Sequence, residues 1–148
     1  MKQADFYLLS VDKPAARWKL ACQLTEKAYL EGRRVFIYCH NQDDAYHIDE
    51  YLWSFRPQSF IPHNLQGEGP LPPPAVQIGF GPEPRGFNDI LLNLSPTIPD
   101  FFQRFEKIIT VVNGNEQDKQ YARDHYRFYK KHGFHPIAHP FEEEHHES

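Results

Sequence analysis

The sequence predicts an α/β fold, with one three-layer domain over residues 1–139. Its central sheet is expected to be mostly parallel and flanked by helices, Rossmann-like in the order of its elements but without a phosphate loop. Short apolar runs alternate with amphipathic helical patterns along the chain. This alternation is typical of parallel strands whose connecting helices cover both faces of a sheet. A length of 148 residues also suits one domain with a sizeable core.

Two strand–helix units are predicted in the first half of the chain. Residues 6–9 form a short apolar run, and Pro14 suits the first turn of the helix that follows. Apolar residues then recur every three or four positions as far as Gly32, a residue typical of a helix end. Residues 35–39 are a second buried strand, and Asn41 can cap a second helix.

Further strands and one long helix are predicted in the second half. Residues 62–75 are rich in Pro and Gly, which favours a loop. A long helix is expected over residues 116–132, before a short edge strand over residues 134–139 that two prolines limit. The glutamate-rich residues 140–148 are expected to form a disordered acidic tail. Strands are also predicted at residues 76–80, 89–94 and 107–112, with a short helix at Phe101, Phe102 and Phe105.

Composition and charge limit the classes of function. The formal net charge of −4 argues against a general electrostatic binder of nucleic acid. No run approaches the ~18 apolar residues of a membrane span, and the first residues do not resemble a signal peptide. We therefore expect a cytoplasmic protein without a membrane partner. Cys22 and Cys39 are far apart and are expected to be buried thiols in a reducing compartment.

The sequence shows no recognisable catalytic constellation. The connection after the first strand, residues 10–14, contains no glycine, and neither phosphate-loop pattern occurs. The nine histidines do not follow a metal-ligand spacing, and no serine lies in a G-x-S-x-G turn. We therefore expect no catalytic residue, no metal site and no cofactor.

The long final helix has one basic, aromatic side. At ~100° per residue, five residues fall in one exposed sector, and we expect Asp124 to lie outside it, too far away to neutralise its charge. Such a strip is typical either of a solvated helix face or of a receptor for an acidic peptide, because Arg forks pair with carboxylates beside an aromatic wall. The sector contains Lys119, Arg123, Tyr126, Arg127 and Lys130. The opposite side, expected to pack on the sheet, contains Tyr121, Ala122, His125, Phe128 and Tyr129.

Three blocks of sequence resemble the chi subunit of bacterial DNA polymerase III. Residues 49–53 and 59–70 are similar to its D-E-x-L-W and S-F-[VI]-P-H-N-L-x-G-E-G-P motifs, and residues 119–129 to K-Q-x-A-R-x-x-Y-[KR]-x-Y. The start of the chain and residues 89–91 match in the same order, so the resemblance covers nearly the whole chain. It ends after Phe134, and it assigns no role to residues 140–148.

The resemblance implies a DNA replication subunit without chemistry of its own, within an assembly that has DNA-directed DNA polymerase activity. In that family the last helix holds the acidic C-terminal tail of single-stranded-DNA-binding protein, which ends in Pro-Phe. By matched position, Arg123 would pair with carboxylates of that tail and Tyr126 would flank its Phe ring. The matched residues are Lys119, Arg123, Tyr126, Arg127, Trp53 and Val112, the last two being expected near the same pocket.

A second surface follows from the same resemblance. The position matching Phe60 docks the psi subunit, which tethers chi to the clamp-loader complex. A helicase-like protein is a further expected partner, and contact with DNA is expected to be mainly indirect. From the residues alone, Phe60 and Ile61 fit equally well as a short core strand.

Two other functions stay open from the sequence. One is a small nucleotide- or phosphate-using α/β enzyme with an unusual loop. The other is a direct binder of single-stranded nucleic acid through the basic strip.

Overall fold

The computed structural model describes residues 2–69 and 71–141. A 3₁₀ turn over Phe102–Arg104 lies between the fifth and sixth strands. The other elements follow in the order β1 (Lys2–Leu9), α1 (Pro14–Leu30), β2 (Val35–Tyr38), α2 (Gln42–Ser54), β3 (His63–Leu65), β4 (Val76–Gly79), β5 (Ile90–Asn93), β6 (Lys107–Val112), α3 (Glu116–Lys131) and β7 (Phe134–Phe141).

The described strands form one sheet in the order β3-β4-β2-β5-β6-β1-β7. Every strand pairing among them is parallel. In the register of the sheet, Phe6 of β1 lies between Thr110 of β6 and Ala138 of β7. The predicted α/β three-layer fold is confirmed.

The described helices cover both faces of the sheet. Helices α1 and α2 pack their apolar sides, including Leu20 and Ile48, into the core on one face. Helix α3 and the 3₁₀ turn pack on the other face, where Phe102 and Tyr129 belong to a core rich in aromatic rings. Each face has its own apolar core because successive side chains of a strand point to opposite sides.

The predicted helix signals agree with the structure. Pro14 is the first residue of α1, and Gly32 follows its end with φ of +79°. The Asn41 side chain caps α2 by accepting a hydrogen bond from the Asp44 amide at 2.8 Å. Cys22 and Cys39 are fully buried and unpaired, as expected.

Several predicted boundaries are wrong. Strand β1 begins at Lys2, four residues before the apolar run that predicted it. Residues 62–75 are not all loop, because His63–Leu65 forms the edge strand β3 and pairs with β4. Only three residues of β3 pair, and because Pro and Gly residues surround them, the sequence shows no strand pattern there. Strand β7 runs two residues past its predicted end, to Phe141. Its prolines leave this pairing intact because proline nitrogens are tolerated on the outer side of an edge strand. Residues 142–148 of the predicted acidic tail lie outside the described residues.

The short helix predicted near Phe101 is also smaller than expected. It amounts to the single 3₁₀ turn Phe102–Arg104. Phe101, Phe102 and Phe105 are all buried, so their spacing reflects packing on the sheet more than helical periodicity.

Candidate functional site

Helix α3 begins and ends with local signals that fix its position. The Asn115 side chain accepts a hydrogen bond from the Asp118 amide at 2.7 Å. Glu116 and Asp118 lie in the first turn, and Lys130 and Lys131 lie in the last turn. Both placements are favoured by the helix dipole. The helix is therefore held in one register, which determines which side chains face the neighbouring strands.

A cavity of about 400 Å³ lies between α3 and strands β1, β6 and β7. Its size is within the range typical of ligand sites. The rim is polar and cationic, and is formed by Lys119, Arg123, Tyr126, Arg127 and Asn113. The floor is apolar, and is formed by Phe6, Leu8, Leu9, Val112, Ala122 and Ala138. We call this cavity the α3 cavity.

Five of the predicted site residues meet in the α3 cavity, namely Lys119, Arg123, Tyr126, Arg127 and Val112. The floor residues on β1 and β7 were not predicted. Their side chains meet the cavity only because β7 pairs with β1, and strand order is not readable from the sequence. The alternation of side chains along a strand was the available signal, since it places Phe6 and Leu8 on the same face.

Tyr126 links the rim of the α3 cavity to its floor. Its ring lies 5.6 Å from the Phe6 ring, and the residue is 37 % exposed. Tyr129 packs behind Phe6, with ring centroids 6.1 Å apart, and burial raises the pKa of its phenol. Phe6 and Tyr126 therefore form an aromatic wall of the cavity, with Tyr129 packed behind it, and such a wall suits an apolar ligand group.

The cations of the rim have acidic neighbours on their own helix. Arg127 pairs with Asp124 at 2.8 Å, so the prediction that Asp124 lies too far away is wrong. A separation of three residues brings two side chains together on a helix surface. Arg123 lies 3.8 Å from Glu116 and donates to the Gln120 side chain at 3.0 Å. Such exposed pairs contribute only ~0–1 kcal/mol, so a ligand carboxylate can replace them at small cost.

Two other assignments on α3 need correction. Tyr121 is partly exposed and lines a different cavity, so it does not pack on the sheet as predicted. Ala122 and His125 are buried as expected, but Ala122 also borders the α3 cavity.

Trp53 does not lie near the α3 cavity, contrary to prediction. It belongs to α2, whose apolar side packs on the opposite face of the sheet from α3. Its ring contacts His63, with centroids 4.3 Å apart, and Phe60, at 6.0 Å. The structure therefore groups Trp53 with Phe60, in an aromatic surface that we call the Trp53–Phe60 patch.

The Trp53–Phe60 patch is open to solvent but firmly supported. Phe60 is 74 % exposed and Trp53 is 50 % exposed, whereas the adjacent Ile61 is only 1 % exposed. The alternative prediction, that Phe60 and Ile61 lie in the core, is therefore confirmed for Ile61 and wrong for Phe60. The buried ring of His63 places Nδ1 2.6 Å from the Ile61 carbonyl oxygen and Nε2 3.1 Å from the Asp49 carbonyl oxygen. These contacts fix the segment that carries Phe60 against α2.

A second, polar cavity of about 210 Å³ was not predicted. It lies at the carboxyl ends of β2, β5 and β6, the edge where α/β folds commonly bind ligands. Arg17 lines it and donates to the carbonyl oxygens of Val111 at 3.1 Å and Leu94 at 2.7 Å. Burial lowers the pKa of Arg17, and the nearby carboxylates of Asp118 and Asp44 oppose that shift. Two carboxylates beside one guanidinium make this cavity unfavourable for a phosphate group.

Neither metal binding nor a membrane span is indicated by the part of the chain that the structure describes. Within residues 2–69 and 71–141, no cluster of three or more His, Cys, Asp or Glu side chains has the arrangement of a metal site. No helix in the same residues has both the length and the apolar character needed to cross a membrane.

Comparison with known proteins gives one consistent result. Residues 1–136 match the family model described as "DNA polymerase III chi subunit, HolC". The chain is 37 % identical over 134 residues to DNA polymerase III subunit chi of Pseudomonas aeruginosa, covering 90 % of this chain and 93 % of the relative. It is 38 % identical over 140 residues to the Escherichia coli subunit, covering 90 % and 95 %. It is 35 % identical over 127 residues to the Haemophilus influenzae subunit, covering 85 % and 88 %.

Proposed function

The chain belongs to the DNA polymerase III chi subunit family, and on that premise we propose that it is a non-catalytic DNA replication subunit acting in the cytoplasm. It binds the acidic C-terminal tail of single-stranded-DNA-binding protein in the α3 cavity. The observation that carries this proposal is the joint placement of Lys119, Arg123 and Arg127 around an apolar floor beside Tyr126.

The two parts of the α3 cavity suit the two parts of such a tail. Arg123 and Arg127 offer planar donor forks to carboxylates, and Lys119 adds a point charge. The apolar floor is open to the aromatic ring of a Pro-Phe end. Removing roughly 150 Å² of that ring from water contributes about 4 kcal/mol before the cost of ordering the peptide is subtracted.

Substitution of Arg123 tests the proposal. We take as probe a labelled peptide of four aspartates followed by Pro-Phe, called here the acidic Pro-Phe peptide. Arg123→Ala is expected to weaken its binding by about 1–3 kcal/mol, or about 5- to 150-fold in Kd, because a charge-assisted pair is lost. Arg104→Ala is the matched control, since Arg104 is an exposed arginine of the 3₁₀ turn that pairs with Glu83 and is not a lining residue of the α3 cavity. Unchanged affinity of Arg123→Ala at low salt would contradict the assignment.

We further propose that the Trp53–Phe60 patch docks the psi subunit, and through it links this protein to the clamp-loader complex. Supporting this, exposed aromatic side chains on a rigid base are typical anchors of protein interfaces. The patch and the α3 cavity belong to opposite faces of the sheet, so one molecule can hold both partners. A helicase-like protein is a further proposed partner, and competition between it and psi would show that both use the patch.

Substitution of Phe60 separates the two surfaces. Phe60→Ala is expected to weaken psi binding at least tenfold while the acidic Pro-Phe peptide binds normally. Leu71→Ala is the matched control, because Leu71 is an apolar side chain that is 91 % exposed. Equal loss of both partners in Phe60→Ala would indicate unfolding and would reject the patch as a specific interface.

The polar cavity is the one feature that favours a second function, a nucleotide- or phosphate-using activity. Its place at the carboxyl ends of the strands supports such a ligand, and its carboxylates Asp44 and Asp118 oppose it. Titration with ATP tests this second function. Saturable micromolar binding that Arg17→Ala abolishes would favour a nucleotide-using enzyme. Direct binding of a single-stranded oligonucleotide, falling steeply with salt, would instead favour nucleic-acid contact.

A further inference from the structure

Strand β7 ends beside the α3 cavity. Phe141, its last residue, pairs in register with Leu9, and its carbonyl oxygen accepts a hydrogen bond from the Ser10 amide at 3.2 Å. Leu9 and Ala138 both line the cavity. Phe141 therefore lies about one strand spacing, ~4.8 Å, from a residue of the cavity floor.

The residues after Phe141 in the sequence carry negative charge, which is complementary to the cationic rim of the cavity. Residues 142–147, which we call the acidic segment, contain Glu142, Glu143, Glu144 and Glu147 and no lysine or arginine. The rim carries three cations, and the two arginines among them pair with acidic neighbours only through exposed contacts. The acidic segment thus resembles, in charge, the peptide that the cavity is proposed to bind.

The acidic segment is also long enough to reach the rim. Six residues of extended chain span up to about 20 Å, roughly twice the ~10–12 Å diameter of a helix such as α3. A segment attached so close to its site has an effective concentration of order 1 mM. Even a weak site, with a Kd of order 1 mM, would then be occupied about half of the time.

We propose that the acidic segment folds back onto Lys119, Arg123 and Arg127 and competes with acidic peptides for the α3 cavity. This inference rests on the proposed function, since it assigns a built-in competitor to the same site. The acidic segment excludes anionic peptides that bind the cavity weakly. A partner that also fills the apolar floor binds more tightly and displaces the segment. A partner tail without an aromatic end loses the most affinity to this competition, because it offers the rim only the negative charge that the acidic segment already provides.

Charge neutralisation of the full chain gives the first test. In E142Q/E143Q/E144Q, the acidic Pro-Phe peptide is expected to bind about two- to fivefold more tightly at low salt, since the competitor is removed. The gain should shrink at 0.5 M salt. The control variant E31Q/D43N/E50Q removes three exposed carboxylates, one just after the end of α1 and two in α2, on the opposite face of the sheet. An equal gain in the control would show a net-charge effect alone and would overturn the inference.

A spin label gives a second test that needs no peptide. The label is placed at His146→Cys, and the native cysteines stay unlabelled because burial raises the pKa of each thiol to about 12. Amide signals of Lys119, Arg123 and Arg127 are expected to broaden more in the otherwise unchanged chain than in E142Q/E143Q/E144Q. Adding the acidic Pro-Phe peptide should reverse this broadening. Equal broadening in both chains would mean that attachment alone brings the label near, and the inference would be wrong.

The two tests separate this inference from the proposed function. Tight peptide binding with no effect of E142Q/E143Q/E144Q and no charge-dependent broadening would overturn the inference and leave the function in place. Charge-dependent broadening without any peptide binding would support the inference and contradict the proposed partner.

Discussion

Filling the floor of the α3 cavity separates the apolar contribution to peptide binding from the contribution of charge. Ala138 lies beside Phe6 in the sheet, lines the cavity and is exposed to solvent. Ala138→Leu adds three carbon atoms to the floor without changing any charge. At ~0.8 kcal/mol per buried methylene, a ligand ring displaced from that space loses about 2 kcal/mol, or about 30-fold in Kd.

Titration with the acidic Pro-Phe peptide measures this loss, and thermal unfolding checks the fold. Stability is expected to change by no more than about 0.5 kcal/mol, because the position is exposed and on an edge strand. Ala15→Leu, at an exposed position of α1, is the matched control and should bind normally. A peptide of six aspartates should be much less affected by Ala138→Leu than the Pro-Phe peptide. Unchanged affinity for the Pro-Phe peptide would refute the idea that its aromatic end enters the floor.

Three further predictions concern the fold. Arg33 donates to both carboxylate oxygens of Asp89, and this pair lowers the pKa of the carboxyl. Arg33→Ala should therefore lower the free energy of unfolding by about 1 kcal/mol at pH 7 in urea unfolding, given partial exposure. A carboxyl with a lowered pKa stabilises above its ordinary pKa of ~4 and loses that effect as pH falls through the folded value, so the difference should vanish near pH 2. Ile61→Ala, at the fully buried residue beside Phe60, should lower the free energy of unfolding by about 2–4 kcal/mol. Cys22 and Cys39, whose pKa burial raises to about 12, should react with a thiol reagent at pH 8 only after unfolding; rapid reaction of the native protein would contradict their burial.

The sequence predicted much of the fold because local signals and tertiary packing agree along most of the chain. The predicted apolar runs overlap strands of the structure. The helix boundaries marked by Pro14, Asn41 and Gly32 are retained. Strand β3 was missed because only three residues pair and their neighbours are turn formers. Its stability comes from the burial of His63 and Ile61, and that is a tertiary contact without a periodic signal.

The candidate site was predictable on the helix and not on the sheet. Helical geometry alone places Lys119, Arg123 and Tyr126 together, and the structure confirms that these residues meet in one cavity. The floor depends on which strands are neighbours, so Ala138 was missed. The prediction for Asp124 was wrong because it treated the edge of the basic strip as a limit, although Asp124 is three residues from Arg127 and therefore its neighbour on the helix surface. Trp53 was misplaced because the resemblance gives a matched position and no information about which face of the sheet carries it.

Chemical-shift mapping of the acidic Pro-Phe peptide on the isotope-labelled protein tests the central claim most directly. We expect saturable changes confined to the floor and rim of the α3 cavity, with Val112, Arg123 and Tyr126 among the largest, and little change at Phe60. Changes centred on the Trp53–Phe60 patch or on Arg17 in the polar cavity would contradict it.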